Sequence, residues 1–111
     1  MALVAEVDGH VAGYLEASIL EASESARWQW STDARTTRLF IGALACDPAH
    51  RRQGVATALV KAAEVWGRAR GAVVAVTETW ARSPWSMPFW ETGMGYRPKN
   101  VMLRKPLEPL S

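Results

Sequence analysis

The run Arg51-Arg52-Gln53-Gly54-Val55-Ala56-Thr57 carries residue types suited to holding an anion. Two guanidinium groups supply positive charge. Gly54 lets the backbone approach a ligand closely, Ala56 keeps that approach open, and Thr57 adds a hydroxyl donor. An apolar strand-like run precedes these residues and an amphipathic helix pattern begins at Gly54. The first turn of a helix leaves backbone N–H groups unpaired, and the helix dipole favours negative charge there. A pyrophosphate fits that chemistry. The plainer reading is that Gly54 only starts a helix and the arginines are solvated. No Gly-Lys-Ser/Thr follows, so the run is not a P-loop, and its glycine spacing is not that of a dinucleotide fingerprint.

The elements that must position this run can be read on both sides of it. Ala2 to Val7, Asp8-Gly9, and His10 to Leu20 form a predicted β-hairpin, because Asp-Gly tolerates positive φ at both turn positions. Val11, Gly13, Leu15 and Ala17 are expected on one face of the second strand, with Tyr14 and Glu16 on the other. Glu21 to Arg35 is polar and aperiodic and reads as a long loop. Leu39 to Cys46 is nearly continuously apolar, as in a strand buried on both faces. Gly42 inside it marks a bulge or a close approach. From Gly54 to Arg70, Val55, Leu59, Ala62, Ala63 and Trp66 recur at helical spacing, opposite Lys61, Glu64 and Arg68. Gly71 is placed to end that helix, and Ala72 to Val76 is a second buried strand. Strand, helix and strand make a βαβ unit with parallel strands. A short helix is expected over Met87 to Thr92, stopped by Gly93 and Gly95. Tyr96 to Pro98 and Val101 to Lys105 are expected to close the chain as a strand pair.

Composition removes several function classes. The 111 residues, 49% apolar, fit a single domain spanning 1–111 with a modest core. A formal net charge of +2, with acids and bases interspersed, gives no footprint for nucleic acid. No apolar stretch is long enough to cross a bilayer, and no signal-peptide pattern opens the chain. A single cysteine, Cys46, forbids an intramolecular disulfide and makes a reducing cytoplasm the expected compartment. It reads as a small buried apolar residue. His10 and His50 read as surface residues, and nothing has metal-ligand spacing, so no metal is expected.

The stretch Leu44-Ala45-Cys46-Asp47-Pro48-Ala49-His50-Arg51-Arg52-Gln53-Gly54-Val55-Ala56 resembles the acetyl-CoA signature of the GNAT N-acetyltransferase superfamily, which ends in Arg/Gln-x-x-Gly-x-Gly/Ala. Pro88-Phe89-Trp90-Glu91-Thr92-Gly93-Met94-Gly95-Tyr96 is similar to the family's Phe-Tyr-Glu-x-x-Gly-Phe segment, with one extra residue. The order of elements also matches, over roughly Ala2 to Leu107. The resemblance implies an α/β fold: a mixed, mostly antiparallel sheet with a central parallel strand–helix–strand unit and splayed central strands. It implies acetyl-CoA as co-substrate, with backbone amides from Arg52 through Gln53, Gly54, Val55 and Ala56 to Thr57 on the pyrophosphate. The main chain of Leu44 and Cys46, flanking Ala45, would pair with the pantetheine arm. The implied activity is transfer of acetyl to a primary amine of a small molecule or peptide by direct attack. An amide N–H of the signature strand would stabilise the oxyanion.

Departures from the family leave the acceptor half open. The family's thiolate-protonating tyrosine falls on Trp90, which is not a usable acid, so Tyr96, a water or unassisted departure replaces it. The family's asparagine before the short helix falls on Ser83. The chain begins where the family's second strand would stand, which implies a shortened version, an upstream start or a dimer partner supplying the acceptor wall. A homodimer is the expected assembly. Glu78, directly after the second buried strand, is the first candidate for general base; Glu21, Glu24, Asp33 or an ordered water are alternatives. Trp28, Trp30, Trp80 and Trp85 lie on segments bordering the acceptor site and suit an aromatic amine or a cation. Equally they suit a covered core or an interface. The reading from another class is an acyl-CoA-binding sensor or interaction domain with little turnover.

Overall fold

A computed structural model of the chain describes residues 1–22, 35–51, 53–79, 84–99 and 103–109. Strands β1 (Ala2–Val7) and β2 (His10–Leu20) pair antiparallel through the Asp8-Gly9 turn, where φ is 51° and 78°. Strand β3 (Arg38–Cys46) pairs antiparallel with β2 and parallel with β4 (Val74–Thr77), giving the order β1-β2-β3-β4. Helix α1 (Val55–Ala69) connects β3 to β4 and ends at Gly71, whose φ is 90°. A short helix α2 (Ser86–Pro88) runs on into a π-helical turn, Phe89–Gly93. The mixed sheet with its parallel strand–helix–strand unit is the architecture the sequence implies.

The core lies between one sheet face and α1. Leu15, Leu39, Ile41 and Val60 are essentially inaccessible, and Val55, Leu59, Ala63 and Trp90 close around them. Helix α1 sits close because Gly13 of β2 has no side chain: a Cβ there would stand 2.7 Å from Val55 Cγ1 and 3.0 Å from Leu59 Cδ1.

Two bulges re-aim the strands. Ala5 pairs with Gly13 and Glu6 with Val11, so Ala12 is an extra residue in β2. Glu16 pairs with Ala43 and Ala17 with Ile41, so Gly42 is an extra residue in β3. A bulge shifts every later side chain to the opposite face. This corrects the expected face of β2: Ala12 is buried in place of Val11, which is 59% exposed.

Other expectations need correction. Strand β3 is not buried on both faces. Leu39 and Ile41 face α1, whereas Gly42 and Ala45 are exposed, because no described element covers the far side. On α1, Val60 belongs to the buried face and Ala62 is exposed; a repeat of 55, 59, 60, 63 and 67 sets the seam. Strand β4 starts at Val74, not at Ala72. Tyr96–Pro98 and Leu103–Lys105 are not strands; Val101 and Met102 lie outside the described residues. The long loop over 21–35 is also outside them, except for its ends.

Candidate functional site

The sheet opens at Gly42. Pairing between β3 and β4 runs from Arg38↔Val74 to Ile41↔Thr77 and stops. The Thr77 hydroxyl donates to the Ile41 carbonyl at 2.8 Å and closes the last rung. Strand β3 continues from Gly42 to Cys46, and among the described residues no strand pairs with its β4-side edge. The Asp47 N–H donates to the Ala12 carbonyl at 2.8 Å, towards β2. Ala45 turns the same way by the alternation of a strand's polar groups, so the main chains of Leu44 and Cys46 face the open edge. The Gly42 bulge produces this orientation; without the extra residue the parity would reverse. A free strand edge accepts an extended ligand with amide groups of its own.

The open edge leads to the start of α1. Asp47 caps a 3-10 turn, Pro48–His50, by accepting the Ala49 N–H at 3.0 Å. The His50 imidazole Nδ1 lies 3.6 Å from Asp47 Oδ2. Arg51 is extended and exposed, with no salt bridge among the described residues. Gly54 then takes φ 80°, ψ 9° and precedes α1 without any side-chain cap. Its carbonyl accepts from Ala58 N–H at 2.9 Å, so the helix is formed from its first turn. The N–H groups of Val55, Ala56 and Thr57 therefore point out of an uncapped helix end beside the end of β3. Gln53 is exposed in the same loop; Arg52 lies outside the described residues.

A family comparison decides what this arrangement belongs to. The model of the acetyltransferase (GNAT) family matches residues 1–96. The chain is a GNAT acetyltransferase family member. Among solved structures, aminoglycoside N-acetyltransferase AAC(6')-Iy in complex with CoA is 22% identical, with a TM-score of 0.72 over 96% of this chain and 75% of that one. An acetyl transferase, described as putative, from Pyrococcus furiosus is 21% identical, with a TM-score of 0.77 over 96% of this chain and 64% of that one. The aminoglycoside acetyltransferase HMB0005 from an uncultured soil metagenomic sample is 27% identical, with a TM-score of 0.71 over 96% of this chain and 65% of that one. This GNAT chain thus spans about two thirds to three quarters of those three proteins. Comparison with curated proteins finds no match.

The remaining sequence candidates are dispersed. Glu78 directly follows Thr77, at the mouth of the opening, and is exposed. Trp85 is 71% exposed. Trp28, Trp30, Trp80 and Ser83 lie outside the described residues, as do Glu24 and Asp33. Trp90 is buried and stacks edge-on with Phe89 and Tyr96 at 5.1 and 4.9 Å. The Tyr96 hydroxyl donates to Glu64 of α1 at 2.8 Å. No group of three or more metal-ligating side chains occurs among the described residues, and none of their helices is long and apolar enough to cross a membrane.

Burial, followed by the Glu64 hydrogen bond and charge, pushes the Tyr96 phenol well above its usual value of 10.0. A raised acid favours the fold below the unfolded value and loses that contribution as pH rises beyond it. Tyr96→Phe is expected to lower stability by about 1 kcal/mol at neutral pH, the net worth of one hydrogen bond. The gap between wild type and variant should narrow between pH 9 and 11. Melting temperatures of both proteins across that range check this, and a constant gap would mean that the phenol is not raised in the folded protein.

Proposed function

We propose that the chain moves an acetyl group from acetyl-CoA to a primary amine by direct attack. The observation that carries this reading is the junction of an open strand edge at Leu44 and Cys46 with an uncapped α1 N-terminus. One binds an extended amide-bearing arm and the other binds phosphate. Amides from Gln53 through Gly54, Val55 and Ala56 to Thr57 hold the pyrophosphate, with Arg51 adding charge. The acceptor nitrogen attacks the thioester carbonyl carbon, the C–S bond breaks, and the oxyanion takes an N–H from the open edge of β3. Glu78, at the mouth of the opening, receives the proton that the amine loses.

The fate of the thiolate bears on the choice of acid. A phenol raised well above its usual value gives up its proton reluctantly to a thiolate, which is the weaker base. Held by Glu64, Tyr96 is a weak donor, so in this reading the thiolate departs without it and is protonated by water. A second reading, an acyl-CoA-binding domain with little turnover, draws on Trp90, which places a buried indole where the family carries a phenol.

The test is incubation with acetyl-CoA and a panel of primary amines, with mass-spectrometric detection of the acetylated amine and of free CoA. Equal amounts of both products support transfer. CoA binding without product on any amine favours the binding domain. Absence of binding removes both readings.

A further inference from the structure

The parallel ladder between β3 and β4 is short, running from Arg38↔Val74 to Ile41↔Thr77. Its end forms the inner corner of the opening between the two strands. Ile41 is the last residue of β3 to pair with β4, and the extra residue Gly42 follows it. Thr77 is the last residue of β4, and the exposed Glu78 follows it. The Thr77 hydroxyl crosses this corner and donates to the Ile41 carbonyl at 2.8 Å, in a partly buried setting.

A ladder frays from its ends, and parallel pairing is slightly the weaker kind per residue. A bulge beside the last rung adds a bend to β3 at the same place. A side-chain hydrogen bond across the corner opposes both effects. Threonine suits this task, because its β-branched side chain has few rotamers and favours a strand, so little freedom is lost in holding the hydroxyl. Without that bond the Ile41 carbonyl loses a partner, and the ladder opens back to Phe40↔Val76. The corner then lies one residue deeper, and Glu78 shifts relative to β3. Leu44 and Cys46 do not follow, since they pair with Leu15 and Gly13 of β2 and not with β4.

We propose that Thr77 is a positioning residue: its bond to the Ile41 carbonyl fixes where β3 and β4 part, and so sets the spacing between Glu78 and the amide edge of β3. The inference rests on the acetyltransfer reading above, in which Glu78 receives the proton of the amine and an N–H of that edge stabilises the oxyanion. Those two groups stand on different strands, and the Thr77 hydroxyl joins the strands at their point of parting. Thr77 itself touches neither CoA nor the amine in this account. The groups assigned to CoA, the edge at Leu44 and Cys46 and the start of α1, belong to parts of the chain that do not pair with β4. Loss of the hydroxyl therefore impairs the transfer step and spares CoA binding.

The experiment compares wild type with Thr77→Val, which keeps the shape and removes the hydroxyl, and with Thr77→Ser, which keeps the hydroxyl. Thr77→Ala takes the place of Thr77→Val where the valine protein does not fold. Rates are measured well below each melting temperature, with acetyl-CoA and a primary amine that wild type turns over. Thr77→Val should lower kcat about 10-fold or more, with the KM for acetyl-CoA and the Kd of CoA within about 2-fold of wild type, and Thr77→Ser should restore most of the rate. Glu78→Gln should cost less in the Thr77→Val background than in wild type, because the two residues act as a unit. A full kcat in Thr77→Val, an equal loss in Thr77→Ser, or independent effects of Thr77→Val and Glu78→Gln overturns the proposal while leaving acetyl transfer standing. Amide hydrogen exchange of the free protein gives a reading that needs no turnover. Exchange about 10-fold faster at the Ile41 and Thr77 end of the ladder in Thr77→Val, restored in Thr77→Ser, supports the proposal, and equal exchange overturns it. Failure of wild type to acetylate any amine counts against the acetyltransfer reading alone.

Discussion

Gly54→Asp is expected to weaken CoA binding by at least about 100-fold while leaving the fold intact, because like charges brought together cost several kcal/mol. Gly54 sits at φ 80°, ψ 9° at the uncapped start of α1. A Cβ there would meet nothing within 4 Å, so bulk alone does not disturb the protein. Aspartate is also a good residue for this helix position, and among non-glycine residues it tolerates a left-handed backbone comparatively well. Its carboxylate would accept the same N–H groups that the proposal assigns to the pyrophosphate, and would repel the phosphates as well. Gly54→Ala separates the two effects. It carries the backbone strain of roughly 1–2 kcal/mol but no charge, so it should lower the melting temperature and retain most CoA affinity. Calorimetric titration of both variants with CoA reads the difference. Equal affinities for Asp and wild type would mean that the phosphates bind elsewhere.

Gly13→Val should damage both stability and binding, from a position that touches no ligand. The Cβ that valine adds would stand 2.7 Å from Val55 Cγ1, 3.0 Å from Leu59 Cδ1 and 3.2 Å from the Ala45 carbonyl. All three belong to the frame of the site: Val55 and Leu59 are the first buried residues of α1, and Ala45 lies between Leu44 and Cys46 on β3. Overpacking a tight contact costs about 1–3 kcal/mol, and a branched side chain on a rigid strand falls at the upper end. For a chain of this size that is a fall in melting temperature of roughly 10–20 °C. Relief of the clash lifts the first turn of α1 from the sheet and moves the amides of Val55, Ala56 and Thr57 relative to the open edge. CoA affinity should therefore fall about 10-fold or more even where the variant is folded. Thermal melts and CoA titration at low temperature check both halves. A stable variant with full affinity would mean that α1 does not rest on Gly13.

What could be read in the sequence follows from which signals are local. Asp8-Gly9 declares its turn because both backbones need positive φ. The uncapped start of α1 is legible because Gly54, the neighbouring arginines and the helix pattern are contiguous. The βαβ unit is legible because two apolar runs flank one amphipathic helix. The bulges are less visible, since each depends on how two strands pair. Gly42 gave a hint, but nothing in Val11-Ala12-Gly13 announces that Ala12 is the extra residue. Strict alternation without that bulge places Val11 inside, whereas Ala12 takes the buried position. The seam of α1 takes Val60 and leaves Ala62 exposed, and a short run of alanines and valines permits either in the sequence. Alternation places Tyr14 and Glu16 on the face opposite Leu15, and only the register with β3 brings Glu16 beside Gly42 and Phe40. The buried Trp90 likewise shows its role only through its packing against Tyr96.

The most direct test of acetyl transfer is the mass spectrum of an acceptor amine after incubation with acetyl-CoA and the purified chain. The account predicts an acetylated amine in one-to-one ratio with free CoA, formed by wild type and lost in Gly54→Asp. Product formation that survives Gly54→Asp unchanged, or acetyl-CoA that binds wild type and is never converted with any amine, would contradict it.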